Sequence, residues 1–433
     1  MKKRVQIFVL LCILATVFCT ASIFWQNAYA ANDTASTLEE LQGKISTAMN
    51  SRLTAYTVDY SGNLTSLQSD ISSVINNIYE ADDYMHYSSK GYRYTSTLRG
   101  GVATINFTFS YWTTAVQADF VSTTVNSVLS QIITPEMNDY QKEKAIHDWI
   151  MTKVAYDTTL AQHSDYAALV SPYKTVCQGY ALLGYKMLNQ VGIQTKILEG
   201  TAGNQEHVWN EVQLDGVWYH LDPTWDDPVP DVAGRVTYSY YNLTDDQIKV
   251  NHIWTKSYPT ANKSFGDTLT EKVSGDASNA AFYQDLYDTV GLQYATADNT
   301  ADSSLSLSTK LQQAIQNQQT ELVVRYTNKS TLAADLKTAV TNMGNITSFS
   351  YSYGDYTRTT DPQDVLVSIK FTSTVVAVIV AVPPPVAFTT PAVTVATFVS
   401  LVVQTIFLLL ALAGVIVGTN VTAAPPRVID TVL

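Results

Sequence analysis

His207-Val208-Trp209-Asn210-Glu211-Val212-Gln213-Leu214-Asp215-Gly216-Val217-Trp218-Tyr219-His220-Leu221-Asp222 reads as two alternating runs joined by Asp215-Gly216. That dipeptide tolerates positive φ, so it predicts a two-residue hairpin loop. The loop sets Leu214 opposite Val217, Gln213 opposite Trp218, Glu211 opposite His220 and Trp209 opposite Asp222. Because strand side chains alternate, His207, Trp209, Glu211, Gln213, Trp218, His220 and Asp222 share one face. Val208, Val212, Leu214, Val217, Tyr219 and Leu221 form the other, read as the core side. His207 and Asp222 are diagonal neighbours at roughly 7–8 Å, within reach of an imidazole–carboxylate hydrogen bond. The polar and aromatic face is expected to floor a cleft.

Upstream, Cys177 falls in the first turn of a helix predicted over 176–190, which stops at Gly192. The free N–H groups of a first turn and the positive end of the helix dipole stabilise a thiolate, and Lys174 adds positive charge nearby. A second helix, over 139–156, is expected to turn Ala145, Ile146, Trp149, Ile150 and Val154 inward. Lys142, Glu143, Lys144 and Asp148 would face solvent, and Asp139 would cap it. Strands are read at 193–198, 208–214 and 217–221. Cys177 as nucleophile, His207 as base and Asp222 as orienting carboxylate would make a triad for nucleophilic catalysis. The alternative is a core thiol beside an ordinary polar surface. Candidates for lining the cleft are Lys174 and Gln178 beside the thiol, then Trp209, Glu211, Trp218, His220 and Trp225.

At roughly 100–200 residues per domain, the chain of 433 residues holds two to four domains. Asp+Glu outnumber Lys+Arg 38 to 26, which argues against a nucleic-acid partner, since that needs a basic footprint. Cys12, Cys19 and Cys177 are too few for a disulfide scaffold or a four-cysteine zinc site. Lys2, Lys3 and Arg4, an apolar run over 5–23 and Ala28-Tyr29-Ala30 follow the order of a secretory signal, residues 1–30. An uncleaved anchor is the other reading. Cleavage after Ala30 would leave Cys177 as the one thiol, which is then buried, intermolecular or reactive.

Two flanking stretches share an order of elements. Residues 31–112 read as helices at 38–49 and 64–78 with strands at 53–60, 85–98 and 103–111, the last two turned by Gly100-Gly101. After a linker at 276–304, residues 305–372 read as helices at 305–318 and 332–343 with strands at 321–326, 346–356 and 365–371. Both are taken as small α+β modules around a middle domain, 113–275. Chance likeness between two Thr/Ser-rich stretches is the alternative.

Three blocks carry a family resemblance: Cys177-Gln178-Gly179-Tyr180-Ala181, His207-Val208-Trp209-Asn210-Glu211-Val212, and Trp218-Tyr219-His220-Leu221-Asp222-Pro223-Thr224-Trp225-Asp226. Together they resemble the bacterial transglutaminase-like domain. Lys144-Ala145-Ile146-His147-Asp148-Trp149, Tyr156-Asp157, Tyr240-Tyr241-Asn242-Leu243-Thr244-Asp245-Asp246, His252 and Trp254 extend the likeness over about 135–260. The resemblance implies an α+β fold with a transglutaminase-like (papain-like) core. It makes Cys177 the nucleophile, His207 the general base and Asp222 its orienter. Related proteins include cross-linkers, peptidases, peptide N-glycanases and inactive scaffolds. The choices are therefore a transglutaminase- or peptidase-type enzyme working through a thioester, or a catalytically inactive cell-surface binding or structural protein. The Cys177 N–H would be one oxyanion donor, with Gln162 and Gln178 the glutamines considered for the second. His147, His220 and His252 are expected to be structural or rim residues. Asp226, Asp227, Asp231, Asp245 and Asp246 lack EF-hand spacing, and neither metal nor cofactor is expected.

From Phe371 to Pro426 no residue is charged. Pro383-Pro384-Pro385 and Pro391 mark an uncharged linker, 373–395. Residues 396–418 are apolar and long enough for a transmembrane helix, which needs about 20 residues. Out-of-frame sequence is the alternative for this tail. The expectation is an exported protein at the outer face of a bacterial membrane, acting on amide bonds of cell-envelope proteins or peptides.

Overall fold

The computed structural model describes residues 32–227, 229–374, 377–378 and 403–404. The signal-like segment 1–30 lies outside the described residues, as do most of the linker 373–395 and all of 396–418 except Val403–Gln404. No helix among the described residues is long and apolar enough to cross a membrane. The chain divides into two units: Met1–Gln131 with Thr159–Lys186, and Ile132–Thr158 with Met187–Leu433. The division cuts through the segment 113–275 that the sequence reads as one domain.

In the first unit, strands Asp33–Ala35, Ala55–Tyr60, Val102–Tyr111 and Ser89–Arg99 lie side by side in that order, only the first pair being parallel. Helix Leu38–Asn50 begins where the Thr37 side chain accepts the Glu40 N–H. It turns Leu41, Ile45 and Met49 onto the sheet, and Leu67–Ala81 adds Ile71 and Ile75. They meet Val58, Tyr60, Ile105 and Phe107 from the alternating strands, each such burial contributing about 1.5–3 kcal/mol. Gly100 and Gly101 turn the hairpin at positive φ. One boundary is corrected: residues 85–88 belong to a short helix, Asp83–Ser88, because Asp82 caps it by accepting the Met85 N–H. The strand therefore begins only at Ser89.

The second unit holds a five-stranded antiparallel sheet in the order Tyr241–Leu243, Val217–Leu221, Gln205–Leu214, Thr195–Ala202, His252–Ile253. It also contains a four-stranded sheet ordered Thr300–Ala301, Glu321–Tyr326, Val365–Ser373, Ile346–Asp355. That order, with a parallel first pair, is the one seen in the first unit. Leu307 and Leu311 from helix Ser304–Gln316, with Leu336 and Val340 from Leu332–Met343, pack on Val324, Tyr326, Val367 and Ile369. A loop of this module carries Arg358, whose guanidinium donates to the carbonyls of Val290 at 3.1 Å, Tyr241 at 2.6 Å and Tyr238 at 2.6 Å. Burial lowers Arg358 to about 10.

Helix Asp139–Lys153 departs most from expectation. Its cap is Asn138, in a reciprocal box with Gln141, not Asp139. It ends at Lys153. Glu143, expected in solvent, is fully buried, and so is His147, whereas Ala145 and Trp149 are only half-buried. The Tyr241 hydroxyl and the Asn242 amide donate to Glu143 Oε2 at 2.8 and 2.9 Å, so polar partners turn this stripe inward.

Burial pushes the Glu143 carboxyl up to about 7, outweighing those two bonds. Unfolded, it titrates near 4.5. Between those values the unfolded chain has released a proton that the folded one keeps, so stability falls as pH rises, by at most about 3 kcal/mol. Glu143→Gln keeps the acceptor and removes the proton. Urea midpoints at pH 5 and pH 7.5 should then drop less for the variant than for the parent, and equal drops would refute a buried neutral Glu143.

Candidate active site

In the first unit, Cys177 opens helix Cys177–Gln190 and is half-buried. The helix start is held from several sides. The Val176 carbonyl receives the N–H groups of Gly179 and Tyr180, and the Val176 N–H donates to Gln162 O at 2.8 Å. The Thr175 hydroxyl donates to Gln162 O and Ser164 O at 3.0 and 3.2 Å. A Cβ at Gly179 would overlap the Thr175 side chain, which explains a glycine in the first turn. The Gln178 amide donates to Tyr87 O, so it is engaged in holding the backbone. Lys174 is exposed.

In the second unit, Asp215 and Gly216 both take positive φ, and the hairpin adopts the expected register, Leu214 with Val217 and Glu211 with His220. Asp222 follows the second strand and caps the short helix Pro223–Asp226. Its Oδ1 accepts the N–H groups of Thr224 and Trp225 at 3.0 and 3.2 Å. Its Oδ2 lies 2.7 Å from His207 Nε2 and 3.0 Å from His252 Nε2. An ionised carboxylate only accepts, so His207 donates through Nε2. Burial alone would raise Asp222, but the His207 charge and bonds from both imidazoles outweigh it and hold the carboxyl well below the usual carboxylate range. The structure thus joins His207 to Asp222 within one unit, while Cys177 belongs to the other.

The rest of that face is not a cleft floor. Trp209, Glu211 and His220 are fully buried, while Trp218 and Trp225 are half-buried. Trp209 packs with Leu198, Tyr240, Leu243 and Ile248, so both faces of the hairpin enter the interior. The Trp209 indole donates to His220 Nδ1 at 3.1 Å, and His220 Nε2 meets Asp245 Oδ1 at 2.9 Å. Burial pushes Glu211 up to about 8, with Asp245 adding to the rise. Burial also lowers His220, in spite of Asp245.

Two trios among the described residues bring potential metal-ligand atoms within 4.8 Å of one another: His207, Asp222 and His252, and Glu211, His220 and Asp245. In the second, the indole N–H fixes the His220 proton on Nε2, so the nitrogen facing the carboxylates is a donor and not a metal ligand. His147 bridges Asp148 and Asp226 at 3.2 Å each, a structural pairing as expected. His252 is not a rim residue: it is fully buried against Asp222. No spacing in the sequence links the two.

Residues 126–223 match the Transglutaminase-like superfamily, so the chain contains a transglutaminase-like domain, and the match includes Cys177, His207 and Asp222. The chain is 28% identical over 138 residues to kyphoscoliosis peptidase of Mus musculus and 28% identical over 134 residues to that of Homo sapiens. Those matches take in 28% and 27% of this chain and 21% and 20% of the relatives, about a fifth of their length. It is also similar to a solved TGase, with 14% identity, a TM-score of 0.20 and coverage of 47% of this chain and 61% of the other. A solved structure described as a cysteine protease from Cytophaga hutchinsonii shows 18% identity, a TM-score of 0.22 and coverage of 33% and 64%.

Helix propensity alone would make Gly179→Ala stabilising by about 1 kcal/mol. The overlap with Thr175 should reverse the sign and lower the thermal midpoint. A raised midpoint would show that this helix start has slack.

Proposed function

We propose that the transglutaminase-like domain catalyses acyl transfer from amide bonds, with Cys177 as nucleophile, His207 as general base and Asp222 as its support. The Cys177 sulfur attacks the amide carbonyl, and the His207 imidazolium protonates the departing nitrogen as the C–N bond breaks, leaving a thioester. Water or an amine then attacks, His207 takes its proton, and the C–S bond breaks to release the thiolate, restoring the starting ion pair. Water as acceptor gives a peptidase and an amine gives a transglutaminase. The observation that carries this reading is the 2.7 Å bond between His207 and an Asp222 that two backbone N–H groups already orient.

The full chain, incubated with cell-envelope extract and a labelled primary amine, should incorporate label or generate new N-termini, and Cys177→Ala should abolish both. Asp222→Asn keeps an acceptor for Thr224 and Trp225 but loses the charge. It should leave the fold intact while lowering turnover by about 10²–10⁴-fold. Wild-type activity in Asp222→Asn would remove the Asp222 carboxylate from the mechanism. Inactivity of the parent on all envelope fractions would favour a binding or structural role.

We also propose export, from the signal-like order of 1–30, and tethering through the apolar stretch 396–418. Protease added to intact cells should cleave the chain, and deleting 396–433 should move it from the membrane fraction to the medium. Protection in intact cells would overturn the export reading.

A further inference from the structure

We infer that His252 is a positioning residue that competes with His207 for Asp222 Oδ2 and so sets how strongly this carboxylate supports the His207 imidazolium. The inference rests on the triad proposed above.

The Asp222 carboxylate divides its tasks. Oδ1 is occupied by the N–H groups of Thr224 and Trp225, which fix its plane without help from any histidine. Oδ2 is shared, 2.7 Å from His207 Nε2 and 3.0 Å from His252 Nε2. A strut at His252 would therefore be redundant. What a second donor changes is the negative charge that Oδ2 can offer His207, because two charge-assisted bonds to one oxygen draw on the same lone pairs.

His252 is brought there from the far edge of the sheet. Strand His252–Ile253 pairs with Thr201 and Ala202, and two strands lie between it and Val217–Leu221. Gly200, which lies opposite His207, permits the approach, since a Cβ there would overlap Ile253 O and press on Trp209. The other ring nitrogen of His252, Nδ1, lies 2.6 Å from Asn251 Oδ1, a contact that holds the ring. The titratable groups facing His252 are Asp222, His207 with ring centroids 5.5 Å apart, Tyr240 at 5.5 Å, and His220, which feels its charge. Trp209 and Trp225 close the remaining sides.

The test follows iodoacetamide alkylation of Cys177 in the full chain from pH 5 to pH 10, read by peptide mass mapping. His252→Phe keeps aromatic volume but no donor, whereas His252→Gln keeps one. In His252→Phe the high-pH inflection, where His207 loses its proton, should rise by about one pH unit. His252→Gln should stay close to the parent. A purely structural role would lower the rate at every pH and leave the inflection in place, and that result would overturn the inference. If His252→Phe does not fold, the upward movement must appear in Asn251→Ala, where the ring is released from its orientation, and its absence there is equally decisive. His207→Ala separates the two proposals. A Cys177 profile indifferent to His207 refutes the triad itself, whereas a His207-dependent profile that ignores position 252 refutes only the role of His252.

Discussion

The Asp222 carboxylate is the point on which the second unit turns. It is fully buried, and an isolated charge there would be costly, so it exists only because four donors converge on its two oxygens. Two of them are backbone N–H groups that begin the helix Pro223–Asp226, so the same carboxylate ends a strand, starts a helix and steers an imidazole. Its own N–H donates to Tyr240 O at 3.0 Å, which holds the chain leading into Tyr241–Leu243. Its depressed pKa keeps it ionised across neutral pH, and the stability it contributes is lost progressively as pH falls from the unfolded value of 3.8 toward that low value.

Around this charge the interior is unusually polar, and the sites differ in how they meet the cost. His147 and Asp226 pair, while Asp226 also accepts the Tyr240 N–H at 2.7 Å. Glu143 accepts two hydrogen bonds on Oε2 and none on Oε1, as suits a carboxyl that stays protonated. Glu211 receives no hydrogen bond on either oxygen and sits 3.7 Å from His220 Nε2, so neutrality spares it a second buried charge beside Asp245. One charge is fully paired and two carboxyls are neutralised, which is how the sheet carries polar groups on a face that packs like a core.

Local rules made much of this legible. Asp215-Gly216 and strict alternation determine the hairpin register, and from it the partnership of His207 with Asp222. Val217–Leu221, Glu321–Tyr326 and Leu332–Met343 run as their periodicity indicates. What periodicity could not reveal was burial of polar side chains by remote partners. Glu143 looks like a solvent residue until Tyr241 and Asn242 arrive from far along the chain. Trp209, Glu211 and His220 look like a cleft floor, yet all three are buried, Trp209 among Tyr240, Leu243 and Ile248. His252 had a place in the family resemblance but no legible role, because its contact with Asp222 depends on two intervening strands and on the missing side chain of Gly200.

Arg358 bears on where this protein can be cut. The residues that match the superfamily end at 223, yet three carbonyls beyond them, at Tyr238, Tyr241 and Val290, are satisfied by one guanidinium from the last α+β module. A fragment trimmed at 223 would lose the edge strand Tyr241–Leu243, and one that kept residues 224–290 without the last module would strand those acceptors beside the sheet that holds His207 and Asp222. The terminal module is therefore an integral clamp, and the smallest autonomous folding piece of this unit extends past the residues that make its chemistry recognisable.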